Sequence, residues 1–143
     1  MTATFDNLTT AIKAKLDANT GTNKILSVNY DYFETAPAGF PAAMFEPASL
    51  ANTAYASTDN LRGYGFDIVI EQEFTNVTRQ QAVGILRRAV DTLVAAFDAD
   101  ITLGGACHYC LPIPANFGFF EGANGSILWA SFSLVCYAEI QVI

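Results

Sequence analysis

Cys107-His108-Tyr109-Cys110 is where residues able to bind a metal or exchange a disulfide crowd together in this sequence. The C-x-x-C spacing suits a redox pair when it opens a helix, because the helix N-terminus lowers the thiol pKa. Here residues 106–113 read as a strand, which would send Cys107 and Cys110 to opposite faces and keep them from bridging. A structural zinc site takes four Cys or His ligands. Beyond this cluster only Cys136 remains, and His108 is the sole histidine. Nucleophilic catalysis meets the same shortage, since His108 is the one imidazole available to activate a Ser or Cys. The expectation is therefore three reduced thiols, a strand histidine on a partly exposed face, and no catalytic, metal or cofactor site.

Acidic and basic residues offer two further patterns. Asp67, Glu71 and Glu73 fall at odd positions of one alternating segment, so they share a strand face. Carboxylates strung along one strand do not converge as those of a calcium loop do, and a solvated face or the charged lining of an assembly accounts for them. Arg79, Arg87 and Arg88 sit on one expected helix, which reads as a solvated or salt-bridged face. Gly104-Gly105 precedes a strand without a nearby Lys-Ser or Lys-Thr pair, so no nucleotide-binding loop is present. A formal net charge of −7 makes the average surface repel phosphate, which argues against nucleic-acid binding.

The elements that must position these residues follow from periodicity. Phe5, Leu8, Ile12 and Leu16 recur at helical spacing behind Thr4. Residues 26–32 alternate as a half-buried strand, and Ala42 to Glu46 form a brief one that Pro47 stops. Residues 48–60 are small and polar without period and read as a surface loop. Tyr64 to Phe74 alternate, with Tyr64, Phe66, Ile68, Ile70, Gln72 and Phe74 toward the core. Thr78 and Gln81 have capping-box spacing and open a helix of about 20 residues, roughly 30 Å long, ending near Asp98. Residues 114–125 carry enough Pro and Gly to read as a second loop or an irregular edge, in which Phe117, Phe119 and Phe120 either fold back or project into a partner. Ser126 to Ile143 form a long closing strand with its even positions on the core. These elements predict a single α+β domain over residues 1–143, an antiparallel or mixed sheet of four to five strands with two helices packed on it.

Composition adds a constraint. Hydrophobic residues make up 52% of the chain and charged residues 15%, against about 25% charged in an ordinary soluble domain. No stretch approaches the ~20 apolar residues of a membrane helix, so the surplus apolar area is expected in a protein interface. Met1 to Leu16 carry Asp6 and lack the basic start, apolar block and small-residue cleavage site of a secretory signal, so the chain is expected to stay in the compartment where it is made.

With these elements in order, the chain resembles the tail terminator or tail completion proteins of long-tailed phages. The resemblance is carried by the helix Phe5 to Leu16, the segment Phe40-Pro41-Ala42-Ala43-Met44-Phe45-Glu46-Pro47 and the strand Tyr64 to Phe74. It continues through the helix Ala82 to Phe97, the turn Leu103-Gly104-Gly105 and the closing strand Trp129 to Val142. It implies a structural virion protein of the tail or neck, assembled in the host cytoplasm as a homo-oligomeric, hexameric ring. Such a ring caps the tail tube protein, ends its polymerisation and offers a surface to a head-connector or head-closure protein. DNA would pass through the lumen without specific binding, and no enzyme chemistry or cofactor is implied. On that basis Asp67, Glu71 and Glu73 are candidates to face the lumen, and Tyr55, Phe117, Phe119 and Phe120 are candidate subunit contacts. Another neck or tail subunit, such as a head-closure or tube protein, is the alternative. A cytosolic ligand-binding or thiol-dependent domain using Cys107, His108 and Cys110 is a further one.

Overall fold

The computed structural model describes residues 3–55, 59–122 and 125–141, and of residues 53–55, 59, 114, 115, 122 and 141 the backbone alone. Two helices and five strands follow in the order α1 (Phe5–Ala18), β1 (Val28–Tyr30), β2 (Ala42–Tyr55), β3 (Asp59–Glu73), α2 (Arg79–Asp98), β4 (Tyr109–Gly122) and β5 (Gly125–Gln141). The strands form one mixed sheet in the order β1-β2-β3-β5-β4, parallel between β1 and β2 and antiparallel elsewhere. The α+β class with two helices on one sheet is as the periodicity predicts.

Both helices begin where side-chain chemistry tells them to. The Thr4 hydroxyl accepts the Asn7 N–H at the start of α1, and Thr78 with Gln81 forms a complete capping box at the start of α2. Each helix then lays one stripe on the sheet: Leu8, Ile12 and Leu16 from α1, and Ala82, Leu86, Ala89, Leu93 and Phe97 from α2. Opposite them stand Phe66, Ile68 and Ile70 of β3 and Phe132, Leu134 and Cys136 of β5, all fully or nearly fully buried in one cluster. Phe5 packs edge-on against Tyr64 and Phe66, and the Tyr64 hydroxyl donates to the Ala3 carbonyl, pinning the entry of α1 to β3. Lys15 pairs with Asp100 at 2.9 Å and so ties the end of α1 to the turn after α2. That turn needs left-handed backbone at three successive residues, Leu103 (φ 49), Gly104 (φ 68) and Gly105 (φ 91), of which glycine adopts it without a Cβ clash.

Several boundaries differ from the expectation. Residues 48–60 are not a loop: β2 continues past Pro47 to Tyr55 and β3 starts at Asp59, residues 56–58 lying outside those described. Residues 114–122 are likewise strand, with β4 running to Gly122 and β5 beginning at Gly125, residues 123 and 124 lying outside those described. The strand expected over residues 26–32 shrinks to three residues, and the one expected from Ala106 starts only at Tyr109, because residues 101–108 are spent on turns and bends.

Prolines failed as strand-breakers for a geometric reason. In an antiparallel ladder each residue directs its N–H and C=O to the same side, and sides alternate. The Phe74 N–H donates to the Ser126 carbonyl, which assigns the even residues of β5 to the β3 side. Their partners on β4, Cys110, Pro112 and Pro114, therefore turn their nitrogens to the outside. The Cys110 N–H does point outward, to the Ile101 carbonyl at 2.6 Å. By the same alternation Pro47 faces the open side of β2, as the outward Pro41 carbonyl, taken by the Ser27 N–H, requires. A proline whose nitrogen faces an open edge costs the ladder nothing. The ladder shifts register just after two of these prolines, at Pro47/Ser49 and Pro114/Asn116.

Phe132 is 1% exposed and meets Phe97 edge-on at 6.2 Å, at the centre of the contact between β5 and α2. Phe132→Ala is expected to lower stability by about 3–5 kcal/mol in urea unfolding.

Candidate functional site

The helices cover one face of the sheet and leave the other open. On that open face the central ladder sets Ala42, Glu71, Trp129 and Gly118 side by side in one row across β2, β3, β5 and β4. Met44, Val69, Ser131 and Asn116 form the next row. A Cβ on Gly118 would stand 2.6 Å from the indole of Trp129, so the ring lies against bare β4 backbone that only glycine leaves free. The segment between β1 and β2 then folds over the row. Its Phe33 is held there by its N–H donating to Glu46 Oε2 at 2.8 Å, and Tyr32 and Ala36 both donate to the Glu34 carboxylate.

Two adjoining depressions result, of about 390 and 520 Å³, sharing Phe33, Val69, Glu71 and Phe120. Glu34 and Met44 complete the first, and Asp67, Trp129 and Ser131 line the second.

The three carboxylates expected on one face do share it, in three different environments. Asp67 is exposed and accepts the Ser133 hydroxyl at 3.3 Å. Glu73 is half-buried, and its Oε2 accepts the N–H groups of Thr75 and Asn76, so it closes the turn into α2. Glu71 is 9% exposed, and burial holds its carboxyl above the usual glutamate range. Phe33, Met44 and Trp129, absent from the candidates read from sequence, belong to this site. Trp129 was legible as an odd-face residue of the last strand, but nothing in the sequence fixes the register that brings it beside Glu71.

Of the candidate contacts, Phe117 and Phe119 are 62% and 61% exposed and Phe120 is 39% exposed. Phe120 belongs to the open face. Phe117 and Phe119 stand opposite Ala130 and Leu128 on the helix-bearing face. There they flank a groove of about 520 Å³ against Arg79, Val83, Leu86 and Arg87 of α2. The Arg79 guanidinium lies 5.4 Å from the Phe74 ring centre and 5.3 Å from that of Phe119. Tyr55 ends β2, and its side chain lies outside the described residues.

The cysteines correct an expectation. Cys107 sits in a bend ahead of β4 rather than in a strand, so it does not oppose Cys110 across the sheet. Cys107, Cys110 and Cys136 are instead buried in the same core, with Cys110 and Cys136 directly opposite in the β4–β5 ladder, and all are free thiols. The thiol of Cys110 acts to lower the pKa of Cys107, but the contact with Cys136, burial and the Asp100 carboxylate outweigh it and push it up to about 12. Cys110 is raised by its contact with Cys107, then by burial. Thiols held so far from ionisation are poor nucleophiles. His108 is exposed in the same bend, edge-on to Tyr109. Among the described residues no group of His, Cys, Asp and Glu is disposed to hold a metal ion, and no helix is long and apolar enough to cross a membrane.

No family model and no curated protein matches the chain. Among solved structures it is similar to the sheath/tube terminator of PVC, an extracellular contractile injection system, in the extended state. The two share 12% identity and a TM-score of 0.53, over 98% of this chain and 58% of that one. The likeness is one of fold. The chain thus has a terminator-type fold while spanning little more than half the terminator's length.

Two outcomes follow from these environments. Glu71 with a raised folded pKa favours the protonated form, so its penalty is absent at low pH. The penalty sets in as pH rises through the ordinary value of 4.5 and persists above the folded pKa. Glu71→Gln is therefore expected to stabilise the fold at pH 7, with the gain vanishing below about pH 4 in paired denaturation series. The three thiols are expected to stay unreactive toward an aromatic disulfide reagent in the folded protein and to react together on unfolding.

Proposed function

We propose that this chain is a structural subunit of a phage-tail-like particle, a terminator that forms a homo-oligomeric ring on the end of the tail tube, stops its growth and offers the joining surface to the head. The observation that carries this reading is the terminator-type fold, matched over 98% of the chain. Two features of the molecule support it. The sheet has an open edge at each side: the half of β4 past Pro114, and the part of β2 past the three residues that β1 covers. Edges on opposite sides permit the head-to-tail contacts from which rings close. The first of them carries the exposed Phe117 and Phe119, in a chain whose net charge of −7 suits a passage through which DNA slides without sticking. The function assigned is assembly without catalysis, with a tube protein and a head-closure protein as partners and the tail or neck of the particle as its location.

Purified protein mixed with tail tubes tests this by electron microscopy and sedimentation. The expected result is a ring at one tube end, tubes of fixed length, and loss of both in the Phe117→Ser/Phe119→Ser double variant with its circular dichroism unchanged. A protein that stays monomeric at every concentration and never joins tube ends overturns it, and one that copolymerises into the tube is a tube subunit instead.

A further inference from the structure

Glu71 is a buried acid with nothing to neutralise it. It is 9% exposed, and among the described residues neither a hydrogen bond nor an ion pair reaches its carboxylate. It nonetheless lines both depressions of the open face. An ionised group at such a depth is costly unless paired, and the cost shows as its raised pKa. The walls around it are aromatic: Phe33 and Phe120, 41% and 39% exposed, and Trp129, its direct neighbour across the β3–β5 ladder. Glu34 and Asp67 at the rims add to the negative field, and among the described residues no basic side chain lines either depression. Phenyl and indole faces that stay partly open over an unpaired carboxylate favour a cation, and apolar walls favour one that sheds water readily. A guanidinium is planar, weakly hydrated and able to stack while it pairs, which an ammonium does less well.

We propose that this cleft receives the guanidinium of an arginine presented by another protein chain, with Glu71 as its ion-pair partner and Phe33, Phe120 and Trp129 as its aromatic walls. Docking then removes the penalty that the free subunit carries, so the site contributes to binding by relieving a cost as well as by adding contacts. Specificity follows from the same depth: a partner that offers a neutral residue leaves Glu71 both buried and unpaired. The proposal rests on the assembly reading only in treating the open face as a contact surface, and its occupant is a chain other than a second copy of this one.

Trp129 is the only tryptophan in the chain and reports on the cleft directly. The intact protein is titrated with the blocked peptide Gly-Ser-Arg-Ser-Gly while tryptophan emission is followed. The same peptide with citrulline in place of arginine supplies a neutral side chain of nearly the same shape. A saturable change is expected with arginine, weakened about tenfold or more by citrulline or by Glu71→Gln, and unaltered by Glu121→Gln, which removes one charge from the opposite face. Because Glu71→Gln is expected to stabilise the fold, loss of binding does not report unfolding. Absence of saturation, or equal binding by the Glu71→Gln protein or by the citrulline peptide, overturns the proposal. A Glu71→Gln substitution that lowers the mass of the protein by itself assigns the cleft to a second copy and overturns the choice of a different chain. Arginine binding by a protein that never caps tubes leaves the proposal standing while the terminator reading falls.

Discussion

All fifteen residues of β3 pair with β5 in one unbroken register, from Asp59 opposite Gln141 to Glu73 opposite Ile127. The rest of the structure hangs on that ladder because strand geometry has a period of two: once the register is set, every side chain of both strands is assigned a face. Even positions of β3 and β5 go under the helices, and Phe66, Ile68, Ile70, Phe132 and Leu134 make the core. Odd positions go to the open face, where Asp67, Glu71, Trp129 and Ser133 meet. A slip of one residue would bury the acids and expose the core, so the functional face and the stable face are fixed by the same constraint.

The edges are managed by different means in different places. Up to Pro114, β4 shows the outside prolines and a segment of turns, both of which deny a neighbouring chain a continuous row of donors. After the register shift the N–H and C=O groups of Phe117, Phe119 and Glu121 face outward by the same alternation, beside two phenyl rings and the α2 arginines. A strand blunted along one half and left open along the other is selective about where it can be extended.

How much of this the sequence disclosed depended on whether local rules were enough. Thr4 and the Thr78–Gln81 pair name the helix starts because capping is decided within four residues. The Tyr64 to Phe74 alternation names the faces of β3 because parity is local too. Residues 48–60 read wrongly as a loop, and residues 114–125 stay open between a loop and an irregular edge, because the meaning of Pro47, Pro112 and Pro114 depends on which side of the strand is open, and that is settled by the sheet order. The cysteines were misread from an error of three residues: with β4 starting at Tyr109 rather than Ala106, Cys107 is freed from strand parity and turns into the core beside Cys110.

Glu71 marks the limit of such reading most clearly. Its sequence neighbours Ile70 and Gln72 and its alternation partners Asp67 and Glu73 all make it look like one of a row of solvated acids. What buries it comes from elsewhere: Phe33 from the segment before β2, Phe120 from β4, and Trp129 from β5. Asp67 stays in water, and Glu73 is satisfied by two backbone N–H groups. Of the three, only Glu71 is buried without a donor from the described residues. No donor among the described residues calls for a carboxylate in this position, and Gln would fill the same volume at lower cost; on the helix side the core holds one buried amide, Gln72. The charge is therefore best accounted for by something that arrives from outside, and a contact surface is where such a group is found.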